Sequence, residues 1–357
     1  MDTIIPAEWN TAGPLQKFTA RLLTGCVLLL LQIVEPLPSL ASLNRLSSSG
    51  DCIGFLRGER FALANMGNDG SPDAERSLSL PANDVDSAAS RKEAIRILST
   101  ITHLDSSNWW PHIRPALFLE NLRNNIYHPL SIYQGSNTNF CGYAALTYLP
   151  LHDDPAGWLR FMLAIYRDGQ ASFNGIAFTP SARIHVAAGT LVFKGVLDIR
   201  PADQLWFLML ADHFRGYLNI FTPRFRDGSE DTFWAAVNLG KFCRMVRRLG
   251  GYKTHTRGSD LIRPSIHELY DYISSSMKTG ITFLYVDNTY LYKKNHGTLK
   301  LHIPTHYLVL TDIRHDDGPD GLLTITYWDY GGKSLRKISE EFLKKITYGV
   351  VHCTKTD

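Results

Sequence analysis

Cys141 stands where a polar loop, Tyr133 to Phe140 (YQGSNTNF), gives way to the apolar stretch CGYAALTYL. A thiol at the start of a helix feels the positive end of the macrodipole, which favours the nucleophilic thiolate. Gly142, directly after it, lets a substrate backbone come close. The plain alternative is a small buried cysteine in an apolar segment. His306 leads the run Thr305-His306-Tyr307-Leu308-Val309-Leu310. An imidazole titrates near working pH and can act as a general base. Among 13 histidines, a strand-end residue facing solvent is the ordinary reading. Asp329 lies in Trp328-Asp329-Tyr330-Gly331-Gly332. A carboxylate there can fix an imidazole's tautomer and stabilise its cation, or simply serve a turn. Gln134 precedes the cysteine by seven residues and carries an amide N–H suited to a developing oxyanion. Otherwise its loop was selected for turn propensity, with Thr138 or Asn139 capping the helix.

The surrounding elements must bring these groups together. Residues 92–104 (KEAIRILSTITHL) place apolar side chains at helical spacing. Helices are also expected over the segment ending at Pro129, over CGYAALTYL up to Pro150, and from Pro155 to about 168. Further helices are expected at 202–212, 230–249 and 264–278. From 280 the texture changes. GITFLYVDNTYL, THYLVLTDI and LLTITYWDY are rich in β-branched and aromatic residues and bounded by turn clusters such as RHDDGPDG. They predict three antiparallel strands, two of them a hairpin, followed by a short helix at 339–346 and a last strand at 348–354. Helices first and strands second argue an α+β fold. His306 begins one hairpin strand and Asp329 ends its partner, so both fall at the same end of the pair.

Taken in order, Gln134, Asn139 to Leu146 (NFCGYAAL), Thr305 to Leu310 and Tyr327 to Gly332 resemble the papain-like cysteine peptidase superfamily, most closely its bacteriocin-processing branch. The resemblance covers local windows within residues 130–357. It implies a papain-like fold with a nucleophile helix packed on a C-terminal antiparallel sheet. It also implies Cys141 as nucleophile, His306 as base and then acid, Asp329 as orienting carboxylate and Gln134 in the oxyanion hole. The implied activity is thiol-dependent hydrolysis of peptide or amide bonds in a protein or peptide substrate. Deamidases, transglutaminases and ubiquitin-like protein hydrolases share the triad, and a non-catalytic binding protein could keep the scaffold. Two departures stand out: Tyr143 occupies a position where the branch commonly has proline, and Gln134 is one residue further from the cysteine than usual. The stretch of about 151–280 reads as a helical insertion.

The 357 residues carry a net charge of +3 and five cysteines, at 26, 52, 141, 243 and 353. That balance gives no support for nucleic-acid binding. The odd, sparse cysteine count argues against a disulfide framework. No phosphate loop or dinucleotide fingerprint is present, and no cofactor is expected. His152-Asp153-Asp154 and His315-Asp316-Asp317 have the composition of metal ligands but not the spacing, and both sit in expected turns. Residues 1–41 contain an apolar run at 22–34, too short for the ~20 residues of a membrane-spanning helix. This run reads as a secretory signal or an ordinary helix, and it could associate with a membrane. Residues 42–92 are poor in large apolar side chains and read as a linker, with the folded domain over 93–357. The layout suits a secreted or bacterial effector-like protein, with a cytoplasmic one as the alternative. Nothing in the sequence sets an oligomeric state.

Overall fold

The computed structural model describes residues 84–292, 304–316, 318 and 320–355. The apolar run at 22–34, most of the expected linker, Cys26 and Cys52 lie outside the described residues. The first described helix, α1, spans Asp84–Thr100. Residues 84–92, expected to belong to the linker, are therefore its first turns. Local composition there is too polar to signal a helix, and tertiary anchoring supplies what propensity does not. Arg91 donates to the backbone carbonyls of Ile126 and Leu151, and Ser90 donates to the Asp154 carboxylate. Ala94 and Leu98, four residues apart, are buried beneath it.

Four more helices build the first half: α2 (Pro115–Tyr127), α3 (Cys141–Asp153), α4 (Pro155–Asp168) and the short α5 (Ala182–Ala187). Helix α3 continues through Pro150, where the sequence predicted its end. Asp154 closes it and opens α4, its carboxylate accepting from the Gly157 N–H at 2.9 Å. Helix α6 (Pro201–His213) is buried on every side from Pro201 to Ala211, which marks it as the centre of the helical core. Trp206 on α6 donates to the Thr147 hydroxyl on α3 at 2.8 Å. Helix α7 spans Leu239–Gly250 and closes on Gly251 in the left-handed region.

The expected all-helical insertion is mixed. It holds two small hairpins, β1 (Ala171–Phe173) with β2 (Ile176–Phe178) and β3 (Val192–Phe193) with β4 (Val196–Leu197). The segment 230–238 is turn and short 3₁₀ structure rather than helix, because Asn219 and Asn139 take up its carbonyls. After α7 the chain enters β5 (Tyr252–Gly258), which the sequence reading missed: KTHTR is polar, as an edge strand can be. Helix α8 covers Leu269–Met277, so 264–268 is not helical.

The main sheet has six strands in the order β5-β10-β6-β7-β8-β9, all adjacent pairs antiparallel. The other members are β6 (Ile281–Val286), β7 (His306–His315), β8 (Leu323–Asp329), β9 (Gly332–Ile338) and β10 (Thr347–Lys355). Short helices α9 (Asn288–Tyr292) and α10 (Glu340–Ile346) connect them. The expected α+β class therefore holds, with six strands in the sheet where the sequence predicted four, β5 and β9 being the additions. Strand alternation sorts the core into two layers. Phe283, Tyr285, Tyr307, Val309 and Trp328 join the helical core, whereas Leu284, Leu308, Leu310, Ile325 and Tyr327 pack with α8 and α10. A register shift between Leu310 and Asp312 puts Ile313 on the same side as Leu308 and Leu310.

Candidate active site

Cys141 is the first residue of α3, as its sequence context predicts. Neither Thr138 nor Asn139 caps that helix. Phe140 is the N-cap residue, and its carbonyl accepts from the N–H groups of both Tyr143 and Ala144 at 3.0 Å. The first two N–H groups, of Cys141 and Gly142, have no carbonyl within their own helix to bond. The thiol and two backbone donors thus share the positive end of one helix.

His306 starts β7 and Asp329 ends β8, so the hairpin brings them to one place. Their side chains are almost wholly buried, and His306 Nε2 lies 2.5 Å from Asp329 Oδ1. That bond leaves the other ring nitrogen, Nδ1, for a second partner, and Cys141 lies near enough to act on the imidazole electrostatically. Burial works against charge on His306. The Asp329 carboxylate and the neighbouring Cys141 together outweigh it and raise the imidazole to about 9. The thiol also donates to the Thr305 carbonyl at 3.4 Å. Thiol, imidazole and carboxylate are therefore neighbours, and the carboxylate favours imidazolium.

Gln134 is buried in the loop before Cys141. Among the described residues it makes no hydrogen bond to Cys141, His306 or Asp329. Its Oε1 has no protein partner, and its backbone carbonyl accepts from the Thr138 hydroxyl. The loop is fastened from the insertion. Asp198 accepts from the Ser136 N–H at 2.6 Å and its hydroxyl at 2.8 Å, and Asp231 accepts from the Asn137 amide at 2.9 Å. The Asn139 N–H donates to the Glu230 carbonyl at 2.7 Å, and its side-chain amide donates to that of Thr232. A Cβ on Gly135, whose φ is +100°, would meet Asp198 and Thr138 at 2.8 Å, so the loop needs glycine there.

Two supporting residues were not assigned roles from the sequence. The Tyr330 ring stacks on His306 with centroids 4.7 Å apart and planes 11° apart. Its backbone has φ +46°, unusual for an aromatic residue, and the Asn288 side-chain amide donates to its hydroxyl at 2.9 Å. The second is Lys241, buried beneath α3. Its ammonium donates to the Tyr143 hydroxyl at 2.6 Å, to Asn219 Oδ1 and to the Ala236 carbonyl. Burial, reinforced by Arg215 and Arg244, pushes Lys241 down to about 7. Tyr143, a departure from the expected proline, thus ties α3 to α7 through Lys241.

The other candidates lie elsewhere. His152 bonds Asp153 at 2.8 Å, and Asp153 also accepts from the Tyr252 hydroxyl, which makes a structural cluster at the end of α3. Asp317 of the second His-Asp-Asp run lies outside the described residues. Among the described residues no group of three or more His, Cys, Asp or Glu side chains could hold a metal ion. Cys243 and Cys353 are buried, free thiols, and burial raises both. No helix among the described residues is long and apolar enough to cross a membrane. No family model matches the chain, and a search of curated proteins finds no relative.

Proposed function

We propose that this chain is a cysteine peptidase of papain-like type that acts through Cys141, His306 and Asp329. The observation that carries this reading is a thiol at a helix N-terminus placed within electrostatic reach of a buried imidazole that is hydrogen-bonded to a buried carboxylate. In the reaction the Cys141 thiolate attacks an amide carbonyl. A C–S bond forms, and the carbonyl π pair moves to oxygen. The backbone N–H of Cys141 and the Gln134 amide serve this oxyanion. On collapse the C–N bond breaks, and His306 gives its proton to the departing amine. Water then attacks the thioester while His306 takes a proton from it. The C–S bond breaks, releasing a carboxylic acid and restoring the thiolate. Asp329 holds the ring with Nε2 toward itself throughout and stabilises the imidazolium.

The test is acid quench of the full chain mixed with a peptide digest, followed by intact and peptide mass spectrometry. The reading expects a transient acyl adduct on Cys141 and new peptide termini, both missing in Cys141→Ala. Adducts without new termini would favour an acyl-transfer enzyme with an acceptor other than water. Neither adducts nor termini would favour a binding protein.

A further inference from the structure

The segment 217–237 departs from the end of α6 and returns to α7 directly beside the nucleophile. Asn139, two residues before Cys141, is hydrogen-bonded to Glu230 and Thr232 of this segment. Val237 lies against Gly142, the residue after the nucleophile: a Cβ on that glycine would sit 2.7 Å from Val237 Cβ. The segment is fixed from within. The Asn219 amide donates to the carbonyls of Phe233 and Trp234, and Asn219 Oδ1 accepts from Lys241.

This rigid excursion displays large apolar side chains to solvent. Tyr217, Ile220, Phe221 and Phe233 are 48%, 74%, 45% and 38% exposed, and the Phe221 and Phe233 rings pair at 6.1 Å. Neighbouring exposed apolar residues held in place by buried polar anchors are costly for a monomer and point to a ligand. Residues 224–231 carry both signs of charge, Arg224 and Arg226 together with Asp227, Glu230 and Asp231. That pattern suits an uncharged side chain better than an acidic or basic one. Resting on the peptidase reading, we infer that residues 217–233 form the specificity subsite of the Cys141 centre. Its substrate class is a polypeptide with a bulky aliphatic or aromatic side chain next to the attacked carbonyl.

The test uses blocked peptides acetyl-Gly-Gly-X-Gly-Gly-amide with X as Phe, Leu, Ser, Glu or Lys. Two readouts are taken on the full chain: cleavage, and protection of Cys141 from iodoacetamide. Burial of one such side chain predicts that the Phe and Leu peptides protect at about tenfold lower concentration than the Ser peptide. They are also the peptides cleaved fastest. Phe221→Ser with Phe233→Ser removes the preference, so that all five peptides then protect Cys141 at similar concentrations. Equal protection by all five peptides, or a preference that survives the double substitution, overturns the subsite. Failure of the peptidase reading looks different: Cys141 then alkylates no faster than Cys243 and Cys353, whatever X is.

Discussion

Asp329→Asn isolates the charge in the His306–Asp329 pair. The imidazole ordinarily titrates at 6.5 and is raised to about 9 in the fold. That difference corresponds to about 3 kcal/mol of native-state preference for imidazolium. A native group with a raised pKa stabilises the fold fully below its unfolded value and loses that contribution as pH rises through its folded value. The window here is therefore pH 6.5 to 9. Asparagine keeps the size of aspartate and an oxygen that can accept from the ring, but removes the charge. Burial then acts unopposed and favours neutral imidazole. The variant should be less stable than the parent by about 4 kcal/mol at pH 6, about 3 from the lost charge and about 1 from the weaker hydrogen bond, within the range for breaking a buried pair. The deficit should shrink to about 1 kcal/mol near pH 10, the worth of a neutral hydrogen bond. Urea denaturation of both proteins across pH 5.5–10 measures this, and the His306 imidazole resonance gives the titration directly. A stability difference that does not change with pH, or a parental imidazole that titrates near 6.5, would refute the charged pair.

Lys241→Met tests the opposite sign. Lys241 is lowered from 10.5 to about 7, so the parent buries a charge below pH 7 and gains stability as pH rises from 7 to 10.5. The variant's advantage over the parent should be largest at pH 6 and fall by no more than about 5 kcal/mol by pH 10, read from the same denaturation series. Gly142→Ala forces a methyl against Val237. It should cost about 1–3 kcal/mol and slow Cys141 alkylation, because the displaced residue directly follows Cys141. Asp198→Ala frees Ser136 and its loop. A loss of about 1 kcal/mol is expected, with a larger proportional loss of peptide turnover than of thermal stability.

The grouping of Cys141, His306 and Asp329 was legible because each residue marks an element boundary. Cys141 ends a polar loop, His306 opens an apolar strand and Asp329 precedes Tyr330-Gly331-Gly332. Once the two strands pair as a hairpin, the positions of His306 and Asp329 follow. The edges and anchors were not legible. Strand β5 is polar and lies at the sheet's edge, so it lacks the apolar signature of a central strand. The residues before Leu239 looked helical because Trp234, Ala235, Val237 and Leu239 are apolar. Long-range bonds from Asn139 and Asn219 instead hold that segment as turns. Lys241 gave no signal at all. A lysine in an amphipathic helix is ordinarily solvated, and only the coordinates place it under Tyr143. The signal for Tyr330 was an aromatic residue just before two glycines, where a left-handed backbone can be held.

The most direct test of the account is the rate of Cys141 alkylation by iodoacetamide against pH. It is read by peptide mass spectrometry in the parent, Cys141→Ala and His306→Ala. The account predicts that Cys141 reacts far faster than Cys243 and Cys353 below pH 7, and that His306→Ala abolishes this advantage. A Cys141 as slow as Cys243 and Cys353 at every pH, or one indifferent to loss of His306, would contradict it.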